Sequence, residues 1–122
     1  MRITTRCDPY APATVRQALQ GLGYGWELGD TMLVATELVT NAVRHSRCSE
    51  EQMLTVRLVR TAGRFEISVC DPGRAGTQAR LIDRPDGAGG LGLKVVQQIA
   101  ARWGSERGRK GYRVWAQLPA SG

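Results

Sequence analysis

Two short runs of alternating apolar residues, Leu54-Val56-Leu58 and Phe65-Ile67-Val69, are joined by the four residues "TAGR". Period-two alternation is the mark of a strand with one buried face. A parallel neighbour would need a crossover of a dozen or more residues, and none fits here. The two runs therefore read as an antiparallel hairpin. Whatever fold this chain adopts must be built around that pair.

The flanking elements follow from periodicity. Residues 2–6, "RITTR", form a short edge strand. In "PATVRQALQGLG", Val15, Ala18, Leu19 and Leu22 recur at helical spacing, with Gly21 and Gly23 as a stop. A second helix is predicted from about Asp30, as N-cap, to Ser46. Met32, Ala35, Val39, Ala42 and Val43 supply its apolar face, with Leu38 beside it. After the hairpin, residues 71–90 turn to Gly, Pro, Arg and Asp. A loop of that length is uncommon inside a compact domain and usually functional. A third helix is predicted from Leu91 to about Trp103, and a last strand is "YRVWAQLP", with Val114, Ala116 and Leu118 on one side. Strand, helix, helix, strand, strand, loop, helix, strand is not a βαβ alternation. It predicts an α+β fold: a two-layer sandwich with a mixed, mostly antiparallel sheet and helices on one face. At 122 residues the chain is read as a single domain, 1–122.

Three places carry polar chemistry. In "ELVTNAVRH", Glu37, Asn41 and His45 fall four apart, so they share one stripe of the second helix. A carboxylate and a carboxamide one turn apart can ligand a hard cation or place a base. The same spacing suits a solvated polar face, and His45 suits a helix C-terminus. In "CDPG", Asp71 leaves an apolar strand, where it can meet a ligand or simply start a turn. In "GAGGLGLKV", glycines run into a helix start, which suits phosphate contact as well as a hinge. Gly87, Gly89 and Gly92 spell GxGxxG, but neither a preceding strand nor a following βαβ unit supports a dinucleotide fold.

Taken in order, a polar helix stripe, an Asp at a strand end and a glycine-rich helix start resemble the GHKL (Bergerat-fold) ATPase superfamily. The resemblance is to its small anti-sigma-factor serine/threonine kinases, with an actinobacterial flavour in "LVATELVTNAVRHS". It implies ATP and Mg²⁺ as cofactors. Asn41 matches the residue that binds the metal, Glu37 the general base, and His45 a later position of the same box. Asp71 matches the acceptor of the adenine amino hydrogen, and Gly73 the first glycine box. Gly90, Leu91, Gly92 and Leu93 fall in the second box, whose backbone holds phosphate. Residues 74–89 are then the ATP lid, with Arg74, Arg80 and Arg84 available to phosphate. Three departures stand out: "DPGRAG" displaces a glycine of the first box, Ala88 and Gly89 stand where the second box more usually has a Gly and a variable residue, and Arg113 stands where the family commonly has Thr beside adenine.

The implied activity is γ-phosphoryl transfer to a small anti-sigma-factor antagonist, with regulation of a sigma factor. The departures motivate an alternative, a non-catalytic ATP-binding or partner-sequestering module of the same fold. The resemblance also favours a homodimer, with Trp26, Trp103 and Trp115 as core or interface residues.

Composition narrows the field further. The net charge is +6, yet no block of like charges and no nucleic-acid reading motif occurs, so direct nucleic-acid binding is not expected. No apolar run suits a membrane span and no apolar leader opens the chain, so a cytoplasmic location is expected. Cys7, Cys48 and Cys70 are scattered, without a CxxC pair, and are expected to be unpaired thiols.

Overall fold

The computed structural model describes residues 1–21, 28–44, 49–61, 63–72, 90–108 and 111–119, with residues 28 and 90–94 described by their helical backbone. The elements are β1 (Arg2–Arg6), α1 (Ala11–Gln20), α2 (Leu28–Arg44), β2 (Met53–Thr61), β3 (Arg64–Asp71), α3 (Gly90–Ile99), β4 (Arg102–Gly108) and β5 (Gly111–Pro119). The strands form one sheet in the order β1-β2-β3-β5-β4.

Every described pairing is antiparallel, so the expectation of a partly parallel sheet is corrected. The predicted hairpin is present: β2 runs back into β3 with Leu58 opposite Ile67 and Val56 opposite Val69. Gly63 makes the turn at φ 73°, a left-handed backbone that costs glycine least.

Alternation decides which side of the sheet is covered. Leu54, Val56 and Leu58 of β2, Phe65, Ile67 and Val69 of β3, and Val114, Ala116 and Leu118 of β5 are all buried. Their partners across the layer are Val15 and Leu19 of α1, Val34, Leu38, Val39 and Ala42 of α2, and Val96 of α3. Helix α2 packs on β3 and β5 and lies between α1 and α3. Each fully buried Leu, Val or Phe contributes roughly 1.5–3 kcal/mol through burial, so α2 is the keystone of the core.

Several boundaries shift. Helix α2 starts at Leu28, and Asp30 sits in its first turn, where a carboxylate complements the positive dipole end. Helix α3 stops at Ile99, and Trp103 belongs to the edge strand β4. That strand escaped sequence detection because only Trp103 and Gly104 are partly covered, so its residues carry no clear alternation. Helix α1 begins without a side-chain N-cap; instead Asp8 Oδ1 accepts the Tyr10 N–H at 2.9 Å and the Asp8 carbonyl accepts that of Ala11 at 3.0 Å.

Of the cysteines, Cys7 departs from expectation and Cys70 does not. Cys7 is buried and disulfide-bonded, and Cys70 is a free thiol. The remaining cysteine, Cys48, lies outside the described residues. Separation along the chain says nothing about whether two Cβ atoms meet in space, which is what a disulfide requires.

Candidate functional site

Helix α2 carries the first two predicted groups. Glu37 is half-buried and Asn41 is buried at 8% exposure, one turn further on. They lie beside the core stripe of Leu38 and Ala42, so this polar pair is not a solvated face. The Asn41 Nδ2 has no hydrogen-bond partner among the described residues. A buried polar atom left so costs about 1–3 kcal/mol. Such a carboxamide fits a ligand at its free end. Oxygen and nitrogen of an amide are interchangeable by a flip, so the same group can present either one.

Strand β3 supplies the third group. Asp71 is its last residue and is 3% exposed. Parity puts it on the covered face with Phe65, Ile67 and Val69. Its partner in the ladder is Tyr112 of β5, and Tyr112 in turn pairs with Arg107 of β4. These three form one cross-strand row. The Arg107 guanidinium lies 5.7 Å from the centroid of the Tyr112 ring, a cation–π approach. Next to this row, Gly111 has φ 132°, and a Cβ there would stand 1.9 Å from the Asp71 carbonyl oxygen. The backbone at Gly111 thus presses directly on the Asp71–Pro72 turn, and only glycine fits.

Helix α3 supplies the fourth group. It starts at Gly90, so Gly90, Leu91, Gly92 and Leu93 make up its first turn. The leading N–H groups of a helix lack intrahelical acceptors and face the positive end of its dipole, a ready site for phosphate. Glycine inside a helix costs about 1 kcal/mol against alanine, and Gly92 carries that cost in the first turn of α3. His45, Gly73 and the proposed lid, residues 74–89, lie outside the described residues.

Arg113 does not share the covered face with Asp71. Val114 faces the helices, so Arg113 faces the opposite side of the sheet. There it pairs with Glu66 and, at 2.9 Å, with Glu106. Gln117 donates to the other Glu66 oxygen at 3.2 Å. The residue beside Asp71 on the covered face is Tyr112. Sequence reading missed Tyr112, Arg107 and Gly111; the parity of Val114, Ala116 and Leu118 was the signal that would have found Tyr112.

A cavity of about 490 Å³ lies at this end of β3, β5 and β4. Asp71, Tyr112 and Arg107 border it from one cross-strand row, and Cys70, Arg113 and Glu106 from the next. The Cys70 thiol is held above its ordinary pKa by burial, which outweighs the opposing pull of the Arg113 and Arg57 charges. Among the described residues no cluster of three or more His, Cys, Asp or Glu side chains forms a protein-only metal cage. Mg²⁺ does not need one, because it is commonly held by one or two protein groups together with substrate phosphates.

Comparison with known proteins bears on the family and the fold. The family described as histidine kinase-like ATPase domain matches residues 9–118. Among solved structures, the histidine kinase domain of the blue-light activated histidine kinase from Erythrobacter litoralis EL346 superposes with a TM-score of 0.58 at 21% identity, over 88% of this chain and 58% of that one. A second structure of that Erythrobacter litoralis EL346 kinase gives a TM-score of 0.59 at 22% identity, over 88% of this chain and 40% of that one. Identities this low speak to fold. The chain spans less than two thirds of either structure. No curated protein matches it significantly.

Proposed function

Because the chain belongs to the histidine kinase-like ATPase domain family, we propose that it is an ATP- and Mg²⁺-dependent serine/threonine protein kinase of the anti-sigma type. Its acceptor is a small anti-sigma-factor antagonist, and its regulatory target is a sigma factor. The observation that carries this reading is the pairing of half-buried Glu37 with buried Asn41 on α2, the helix that covers the strand ending in Asp71.

The roles follow from the chemistry of each group. Asp71 accepts the amino hydrogen of adenine. The first turn of α3 donates backbone N–H groups to phosphate oxygens. Asn41 would hold Mg²⁺, which when bound neutralises phosphate charge. Glu37 accepts the proton of the incoming serine or threonine hydroxyl as its oxygen attacks the γ-phosphorus; the bond to the bridging oxygen breaks and ADP leaves. Phosphoryl transfer of this kind is mainly positioning and charge stabilisation. Arg113 is engaged by Glu66 and Glu106 on the face of the sheet away from the helices.

The test is transfer of labelled γ-phosphate from ATP to purified antagonist proteins of the same genome, followed by acid treatment. Acid-stable label on serine or threonine supports the reading. Acid-labile label, as on histidine, or nucleotide binding with no transfer to any of them, overturns it.

A further inference from the structure

The face of the sheet turned away from the helices has an unusual charge pattern. By register it presents Arg2 and Arg6 of β1, Arg57 of β2, Arg64 of β3, Arg102 of β4 and Arg113 of β5. Among the described residues its only carboxylates are Glu66 and Glu106, and Arg113 takes both. The other five arginines make no ion pair among the described residues. Arg2 and Arg57 are direct cross-strand partners. Like charges placed opposite one another destabilise a ladder, so folding alone gives no reason to put them there.

Apolar groups are set among these charges. Met53 and Val59, on the same side of β2 as Arg57, are each 45% exposed. Trp115 of β5 lies over Gly104, where a Cβ would come within 2.9 Å of the indole. A second cavity, of about 190 Å³, is lined by Val59, Thr61, Arg64, Glu66 and Gln117, all on this face. That is several times the roughly 30 Å³ that one water occupies in the liquid. An antiparallel sheet can leave one face wet, but a merely wet face gains nothing from opposed arginines around exposed Met and Val.

We propose that this face is a docking surface for an acidic amphipathic helix of a protein partner, laid across β1, β2 and β3. Its carboxylates meet Arg2, Arg57 and Arg64, and an apolar side chain enters the cavity beside Val59. The helix supplies the layer that the sheet lacks on this side, as α1, α2 and α3 do on the other. Nucleic acid would match the arginines but leave Met53, Val59 and the cavity unused. The surface lies on the opposite side of the sheet from Glu37 and Asn41 of α2.

The test uses a synthetic twenty-residue helical peptide with a leucine stripe flanked by glutamates, titrated into the whole chain and followed by backbone NMR shifts. Three controls run beside it: the same peptide with lysine for glutamate, polyglutamate, and a short DNA duplex. The expected result is saturable, salt-sensitive binding of the acidic leucine peptide alone, with shifts centred on Arg57, Val59 and Arg64. Arg2→Glu should weaken that binding at least tenfold without lowering the melting temperature, because it turns an opposed pair into an ion pair with Arg57. Loss of binding through misfolding would lower the melting temperature instead. The proposal is overturned by no binding, by shifts elsewhere, by equal binding of polyglutamate, or by tighter arginine-dependent binding of DNA. Self-association of the chain through this face overturns it as well.

Discussion

Asp71 and Tyr112 are direct partners across the β3–β5 ladder, on the face that the helices cover. One is a buried carboxylate at a strand end, and the other is an aromatic ring flanked by Arg107. Together they set a carboxylate and an aromatic residue side by side in one cross-strand row.

Replacing Asp71 by Asn keeps the shape and changes one acceptor into a donor. A hydrogen bond to a charged group contributes about 1.5–3 kcal/mol, so ATP affinity should fall by roughly 10- to 150-fold. Calorimetric titration with Mg-ATP measures this directly. Unchanged affinity in a folded variant would remove Asp71 from the base site.

Glu37→Ala addresses the chemical step. Transfer to the antagonist should be abolished while nucleotide binding stays within about twofold, since a general base contributes on the order of 10²–10⁴ to rate and little to ground-state affinity. Asn41→Ala should behave differently, with ATP binding losing its Mg²⁺ dependence. If both functions fail together in Glu37→Ala, that residue positions the nucleotide and is not the base.

Gly111→Ala tests the contact behind Asp71. A Cβ 1.9 Å from the Asp71 carbonyl, on a backbone at φ 132°, forces the turn to move. Unfavourable backbone alone costs about 1–3 kcal/mol, so denaturant stability should fall by at least that much, with ATP affinity falling too. Gly104→Ala collides only with the Trp115 ring, on the other face. It should lower stability and leave ATP affinity alone.

Arg113→Met tests the orientation of Arg113. The ion pairs it breaks are partly exposed, with the Arg113 side chain 32% accessible, so their contribution is about 0–1 kcal/mol. ATP affinity should not change. Cys70 should respond instead, because Arg113 is the largest of the charges that lower its pKa. Its thiol is already raised by burial, and losing Arg113 raises it further. The pH at which alkylation by iodoacetamide reaches half its maximal rate should therefore move upward in the variant. The linkage has the same sign: a raised thiol pKa stabilises the fold below the unfolded pKa, and that stabilisation fades as pH rises through the folded value.

Much of the candidate site's placement on the elements was legible because its parts are local. The spacing of Glu37 and Asn41 is a property of one helix. Asp71 at the end of Phe65-Ile67-Val69 is a property of one strand, and glycines entering α3 are a property of one helix start. The fold class followed from the hairpin and the order of elements. Edge strand β4 did not, because a strand with one half-covered face has no alternation to read.

What the sequence by itself determined is therefore the set of elements with a repeating apolar face, and the polar groups riding on them, since periods of 2 and 3.6 are written residue by residue. What only the tertiary structure decided is how those elements meet. The parity that buries Val114 already turns Arg113 away from the helices, but its partners Glu66 and Glu106 come from other strands. Tyr112 gained its place beside Asp71 through a register set by the whole β3–β5 ladder. The bond at Cys7 and the closure of Gly111 on Asp71 depend on distances across the fold. Such proximity arises from pairing between segments remote in the chain, and no local pattern records it.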